Sequence, residues 1–206
     1  MFGSPRRDPG PDVVWPSDAA RLAGIARRAQ NRATAGAVLV LAHFPETCDR
    51  LVASAEAAAW ASLEREGDLR AFIGARQPDS IGVSLAAMLQ PREPGAAGPP
   101  GTLQVMIAER HPLRARDEAV VSAASTLGPA VEVEIHLALE DALFADLDAR
   151  LGALLERLGL EPDQPIEHAM VTSAVARAQA QIAAAASGDL PAASAEEWLR
   201  TNVPGR

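Results

Sequence analysis

Residues 131–182 read VEVEIHLALEDALFADLDARLGALLERLGLEPDQPIEHAMVTSAVARAQAQI. The first eight, V-E-V-E-I-H-L-A, alternate apolar with charged side chains, the period of a half-buried strand with one face on a core. The pattern changes at Leu139-Glu140-Asp141, where two acids open a helix and favour its positive end. A second helical run stops at Gly159, and Pro162 and Pro165 forbid its continuation. A third helix follows, with apolar side chains at Met170, Val171, Ala174, Val175 and Ala178.

Upstream, strands and helices alternate in the same way. Ala35–Ala42, AGAVLVLA, is a short continuous apolar run, the signature of a central parallel strand covered on both faces. Ser80–Leu85 and Thr102–Ala108 read as further strands. Before the first, Ser17 caps a helix with Asp18 in its first turn. Leu22, Ile25 and Ala26 face inward there, with Arg21, Arg27 and Arg28 partly solvated. After it, Pro45, Glu46 and Thr47 start a helix running through the Ala-rich CDRLVASAEAAAWAS, and REGDLRAFIGARQPD holds another.

Three stretches read as irregular or broken. MFGSPRRDPGPDVVW at the amino end is an extended lead, and QPREPGAAGPPG over residues 90–101 is a surface linker. Past Ile182, Gly188 and Pro191 break the helix, and Ser194 caps a short last one. Its Trp198 and Leu199 either dock back on the body, the preferred reading, or offer a small partner surface. The expectation is an α/β chain with an open parallel sheet of roughly five or six strands and helices on both faces. It divides into a lead over 1–16, the α/β domain over 17–145 and a small helical appendage over 146–206.

Composition excludes several functions. All 19 basic residues are Arg, so neither the Lys of a phosphate-binding G-x-x-x-x-G-K-[ST] loop nor a lysine Schiff base is available. A net charge of -8 opposes nucleic-acid binding, and the absence of Tyr and scarcity of other aromatics oppose base stacking. Cys48 is alone and reads as a small buried apolar residue rather than a nucleophile. His43, at a strand's carboxyl end, reads as structural or solvent-exposed for want of a nucleophile or acid beside it. No apolar run is long enough to span a bilayer and nothing at the amino end reads as a signal peptide, so a soluble, cytoplasmic protein is expected.

The 131–182 stretch closely resembles the end of the second motor domain of the SecA preprotein translocase family. That family has a strand, then L-x-x-E-D-x-L, R-L-G and I-E-H-x-x-V-T-x-A-I-x-x-A-Q-x-x-V, and this chain follows it almost position by position. The Arg6–Trp15 segment is similar to the family's R-x-D-x-P-D-x-V-Y with one residue inserted, and Val38-Leu39-Val40 and Glu46 match V-L-V-G-T and its following Glu. Thr102–His111 resembles G-L-H-V-I-G-T-E-R-H. The resemblance covers about residues 6 to 183 and implies a RecA-like open sheet followed by the start of a helical scaffold.

The family's nucleotide-contacting motifs are degenerate. Where it carries A-T-N-M-A-G-R-G-T-D-I this chain reads A-A-M-L-Q-P-R-E-P-G, without the G-R-G-T-D string, whose glycines allow close backbone approach in the family and whose Arg and Asp couple nucleotide to motion. In the helicase-like segment after His111, Arg114 and Asp117 survive, but Ala119, Val121, Ala123 and Thr126 replace the Gln and three arginines. An arginine finger needs a guanidinium to stabilise developing charge, which small or apolar side chains lack. Glu109, Arg110, His111, Arg114 and Asp117 are therefore the relict nucleotide-binding candidates, with a scaffold role preferred for the first three. Arg116, on a family apolar position, is a weaker substitute finger.

The resemblance implies an accessory module of protein translocation with no independent ATPase and no required cofactor. It would act by contact with a SecA-type motor, a separately encoded first motor domain, SecYEG or preprotein, in the cytoplasm or peripherally at the inner face of the plasma membrane. The alternatives are a degenerate sensor that binds ATP or ADP weakly, and a fold recruited to an unrelated interaction.

Overall fold

The apolar run at the start of the chain becomes the middle of a sheet. The computed structural model describes residues 10, 12–54, 59–92, 100–128, 131–144 and 164–206. Among these, the strands are β1 (Val13–Trp15), β2 (Ala37–Ala42), β3 (Ala61–Ser62), β4 (Ile81–Leu85), β5 (Leu103–Ile107), β6 (Val131–Ala138) and β7 (Ile166–Glu167). They lie side by side in the order β3-β4-β2-β5-β6-β1-β7. Every pairing is parallel except β1 with β7. The register puts Val38 opposite Ile81 and Gln104, Leu103 opposite Val131, and Val13 opposite His136.

The helices are α1 (Asp18–Ala33), α2 (Pro45–Ala53), α3 (Glu66–Ala75), α4 (Arg114–Ser125), α5 (Ala169–Ala185) and α6 (Ala195–Asn202). Ser17 Oγ accepts from Ala20 N and Ser194 Oγ from Glu197 N, so α1 and α6 begin where a capping hydroxyl satisfies an orphan donor. Alternate residues of β2 face opposite ways. Val38, Val40 and Ala42 pack with Ile25, Ala29 and Ala33 of α1 and Leu51 of α2. Leu39 and Leu41 pack with Leu69 and Ile73 of α3 and Val120, Ala123 and Ala124 of α4. Both faces are thus covered, and all six β2 residues are buried.

A third apolar cluster joins Val14, Phe44 and Leu137 to Val171, Val175 and Ile182 of α5 and to Trp198 and Leu199 of α6. Trp198 and Leu199 thus dock back on the body, the preferred reading of that tip, while 146–163 of the expected appendage lie outside the described residues. The lead expected over 1–16 changes: Val13–Trp15 form an interior strand, each residue 1% exposed. Gly24 explains how α1 crosses it, because a Cβ there would lie 2.1 Å from the Trp15 indole.

Other differences are local. The helix expected through Ser62 ends at Ala53, and Ala61–Ser62 pair with β4 as an edge strand. β6 is half-buried only at first; Ile135 to Ala138 are all buried because α1 covers one side, and α4 against Ile135 and α5 against Leu137 cover the other. Arg21 is buried, not solvated, and Met170 is exposed. The helix expected after Glu140 appears as a single 3₁₀ turn, Ala142–Phe144, and the rest of that run lies outside the described residues, as do 1–9 and most of the linker.

Candidate functional site

Parallel strands end together, so β2 and β5 deliver His43 and Glu109-Arg110-His111 to the carboxyl edge of the sheet, where open α/β folds place ligands. Glu109 is 6% exposed, and its carboxylate accepts from Phe44 N at 3.0 Å and Thr47 Oγ1 at 2.6 Å. Phe44 is the N-cap of α2 and has no capping side chain, so Glu109 supplies the missing acceptor and negative charge from another strand. Burial pushes its carboxyl upward, opposed by the charge of Arg21 and the hydrogen bond from Thr47.

Arg110 spans two acids. Its Nε and Nη2 donate to Asp12 Oδ1 at 3.1 and 2.6 Å, and its Nη1 donates to Asp117 Oδ2 at 3.0 Å. Asp12 is 0% and Asp117 2% exposed. Asp117 also accepts from His111 N at 2.9 Å and Gln179 Nε2 at 2.7 Å. His43 Nε2 lies 2.9 Å from Asp117 Oδ1 but off the line of a hydrogen bond, so that contact is electrostatic. Burial alone would raise the Asp117 carboxyl; His43, Arg110 and the His111 amide outweigh it and hold it below the usual range.

His111 closes the cluster. Its Nδ1 accepts from Leu113 N at 3.0 Å, and its ring stacks on Phe44 and meets Trp198 and His43 edge-on at centroid distances of 5.2 to 5.4 Å. Burial foremost, then His43, pushes its pKa down to about 4, so the imidazole is neutral near pH 7. The α6 segment seals the edge: Glu46 N donates to Ala193 O at 3.0 Å, and Trp198 Nε1 donates to Asp189 Oδ1 at 2.9 Å.

Four of the five sequence candidates, Glu109, Arg110, His111 and Asp117, come together in this buried network. Arg114 does not: it is on the surface, its Nε 2.9 Å from Glu118 Oε1 one turn along α4. Arg116 points away to Asp189, at 2.8 Å from Nε. Asp12 and Gln179 belong to the network but were not among the candidates; both lie within segments that resemble the family pattern, which was their available signal. Each acid here is matched by a cation or by several donors, although Asp12 Oδ2 and His43 Nε2 have no hydrogen-bond partner. The chemistry on offer is cohesion of loops from β2 and β5 with α4 and α5. Cys48 is partly buried against the α1 face of the sheet.

No family model matches the chain. The protein translocase subunit SecA of Legionella pneumophila (strain Lens) is 35% identical over 83 residues, 40% of this chain and 9% of that protein. The SecA subunits of Syntrophobacter fumaroxidans and Acetivibrio thermocellus are 34% identical over 85 residues and 37% over 83, covering 41% and 40% of the chain and 10% and 9% of their own lengths. About 40% of this chain is thus similar to a region of SecA subunits, and the match spans about a tenth of the length of these relatives. Among solved structures, the C-terminal part of the Fun30 ATPase domain is similar at a TM-score of 0.35 and 14% identity, over 70% of this chain and 48% of that one. No helix among the described residues is long and apolar enough to cross a membrane.

Proposed function

We propose that the chain is a SecA-type protein-translocation module that works by contact and does not hydrolyse ATP on its own. The observation that carries this reading is the closure of the Arg110 network. The guanidinium best placed to meet a phosphate at the sheet's carboxyl edge is held by two buried carboxylates, Asp12 and Asp117. Releasing it would strand both charges away from water. The lack of any Lys removes the other usual phosphate ligand. What remains at that edge is a rigid lobe fitted to dock against another protein, by the family likeness a SecA-type motor or a separate first motor domain. SecYEG and unfolded preprotein are the further partners that likeness suggests, with the cytoplasm or the inner membrane face as the location.

The test is to mix the purified chain with a SecA-type motor, then follow co-elution and ATP turnover. Expected are a complex and no hydrolysis by the chain alone. Failure to associate with any motor or channel component, or stabilisation of the chain by ATP or ADP, opposes the reading; the latter would favour a nucleotide sensor.

A further inference from the structure

On the face of the sheet covered by α3 and α4, residues of α3, those after β4 and Leu127 beyond α4 line a cavity of about 360 Å³, within the size range of small-ligand pockets. Its walls are mainly apolar: Leu69 and Ile73 from α3, Met88 and Leu89 beyond β4, and Leu127. The charged groups at its rim are Glu66 and Arg70, which neutralise each other one turn apart at 2.5 Å, and Arg92.

Arg92 carries the asymmetry. Its backbone N donates to Thr126 Oγ1 at 2.8 Å, which fixes the residue beside Leu127, yet its Nη1 is buried with no hydrogen-bond partner. Arg76 lies near it, itself buried and, among the described residues, bonded to the carbonyls of Ile73, Gly101 and Leu127. Neither guanidinium forms an ion pair among the described residues. Burial, then the charge of Arg92, lowers the Arg76 pKa, as expected of neighbouring cations short of an anion. A chain of net charge -8 thus keeps Arg92, among the described residues, without a counter-charge at the rim of this apolar cavity, with Arg76 nearby. A buried donor left unmade is costly, and a carboxylate is its strongest complement.

The geometry points to a binding site for a small amphipathic carboxylate, its apolar body among Leu69, Ile73, Leu89 and Leu127 and its acid group on Arg92. The site is independent of the translocation reading and of the closed network around Arg110. Apolar contact supplies the affinity and the guanidinium selects the anion.

The experiment titrates the full chain with decanoate and records amide NMR shifts and affinity, with decan-1-ol and inorganic phosphate as separate probes. Decanoate should shift the amides of residues 69–74, 88–92 and 127. Arg92→Gln should weaken it by about ten-fold, as loss of one charge-assisted contact does. Arg92→Lys should keep part of that loss at bay, which distinguishes a charge effect from altered packing. Decanoate shifts elsewhere, or an affinity unchanged in Arg92→Gln, would overturn the assignment. So would decan-1-ol binding as tightly as decanoate, an apolar crevice only, or phosphate doing so, a surface anion contact only.

Discussion

Replacing Arg110 by Met removes the one cation shared by two buried acids while roughly keeping the volume of the side-chain stem. Asp117 retains donors from His111 N and Gln179. Asp12 does not: among the described residues its carboxylate has no partner but Arg110, and its Oδ2 is already unmatched. Breaking a buried pair by deleting one member costs about 3–5 kcal/mol, which is large against a whole-domain stability of about 5–15 kcal/mol. At ~2–4 °C per kcal/mol for a chain of this size, the midpoint of thermal unfolding should fall by about 6–20 °C.

The deficit should depend on pH in a fixed direction. The network holds Asp117 below its ordinary value, so its contribution is present above the unfolded carboxylate pKa and is lost as pH falls through the folded one. Without Arg110, Asp117 loses one of the charges that hold its carboxyl down and takes up a proton more readily. The gap between wild type and variant should therefore be widest near neutrality and narrow below about pH 4. Urea unfolding at several pH values measures this, and Asp12→Asn combined with Arg110→Met should recover part of the loss, because the two sites are coupled. A loss under about 1 kcal/mol, the value of an exposed pair, or a gap independent of pH, would mean that the network is open to water and free to meet a ligand.

Further outcomes follow from the packing. Gly24→Ala should destabilise the fold by about 1–3 kcal/mol, since the new methyl meets the Trp15 indole, whereas Gly67→Ala, with open space around it, should not; thermal unfolding of both tests this. Trp198→Ala should cost about 3–5 kcal/mol and expose His111, read as a rise of the His111 pKa from about 4 towards its ordinary value by NMR titration. Because the folded His111 binds its proton only near pH 4 while the unfolded one binds it near 6.5, wild-type stability should decline as pH falls through that window. Arg114→Ala, which removes only an exposed pair one turn along a helix, should change stability by less than about 0.5 kcal/mol.

The sheet was legible where strands are long and apolar. AGAVLVLA, SIGVSL, TLQVMIA and VEVEIHLA became β2, β4, β5 and β6 with ends shifted by a residue or two. The short strands were not: Val13–Trp15 stands between Pro11 and Pro16, and Ala61–Ser62 and Ile166–Glu167 are two residues each, too few to show a period. They pair because β6, β4 and, for Ile166–Glu167, β1 present ready edges, which is a tertiary fact. The site was half legible for the same reason. Glu109, Arg110, His111 and Asp117 are neighbours in sequence, but Asp12 reaches Arg110 across 98 positions and Gln179 reaches Asp117 across 62. Arg21 lies off the apolar stripe of α1, which predicts partial solvation, yet it meets Asp141, 120 residues away.

The claim on which the functional reading depends is that the polar groups at the sheet's carboxyl edge belong to the scaffold and not to a nucleotide. A titration of the purified chain with Mg-ATP, read by amide NMR together with phosphate release, tests it most directly. The expected result is no shift at residues 109–117 and no release. Saturable shifts of the Glu109, Arg110 and His111 amides, with phosphate release that disappears in Arg114→Ala or Arg116→Ala, would contradict it.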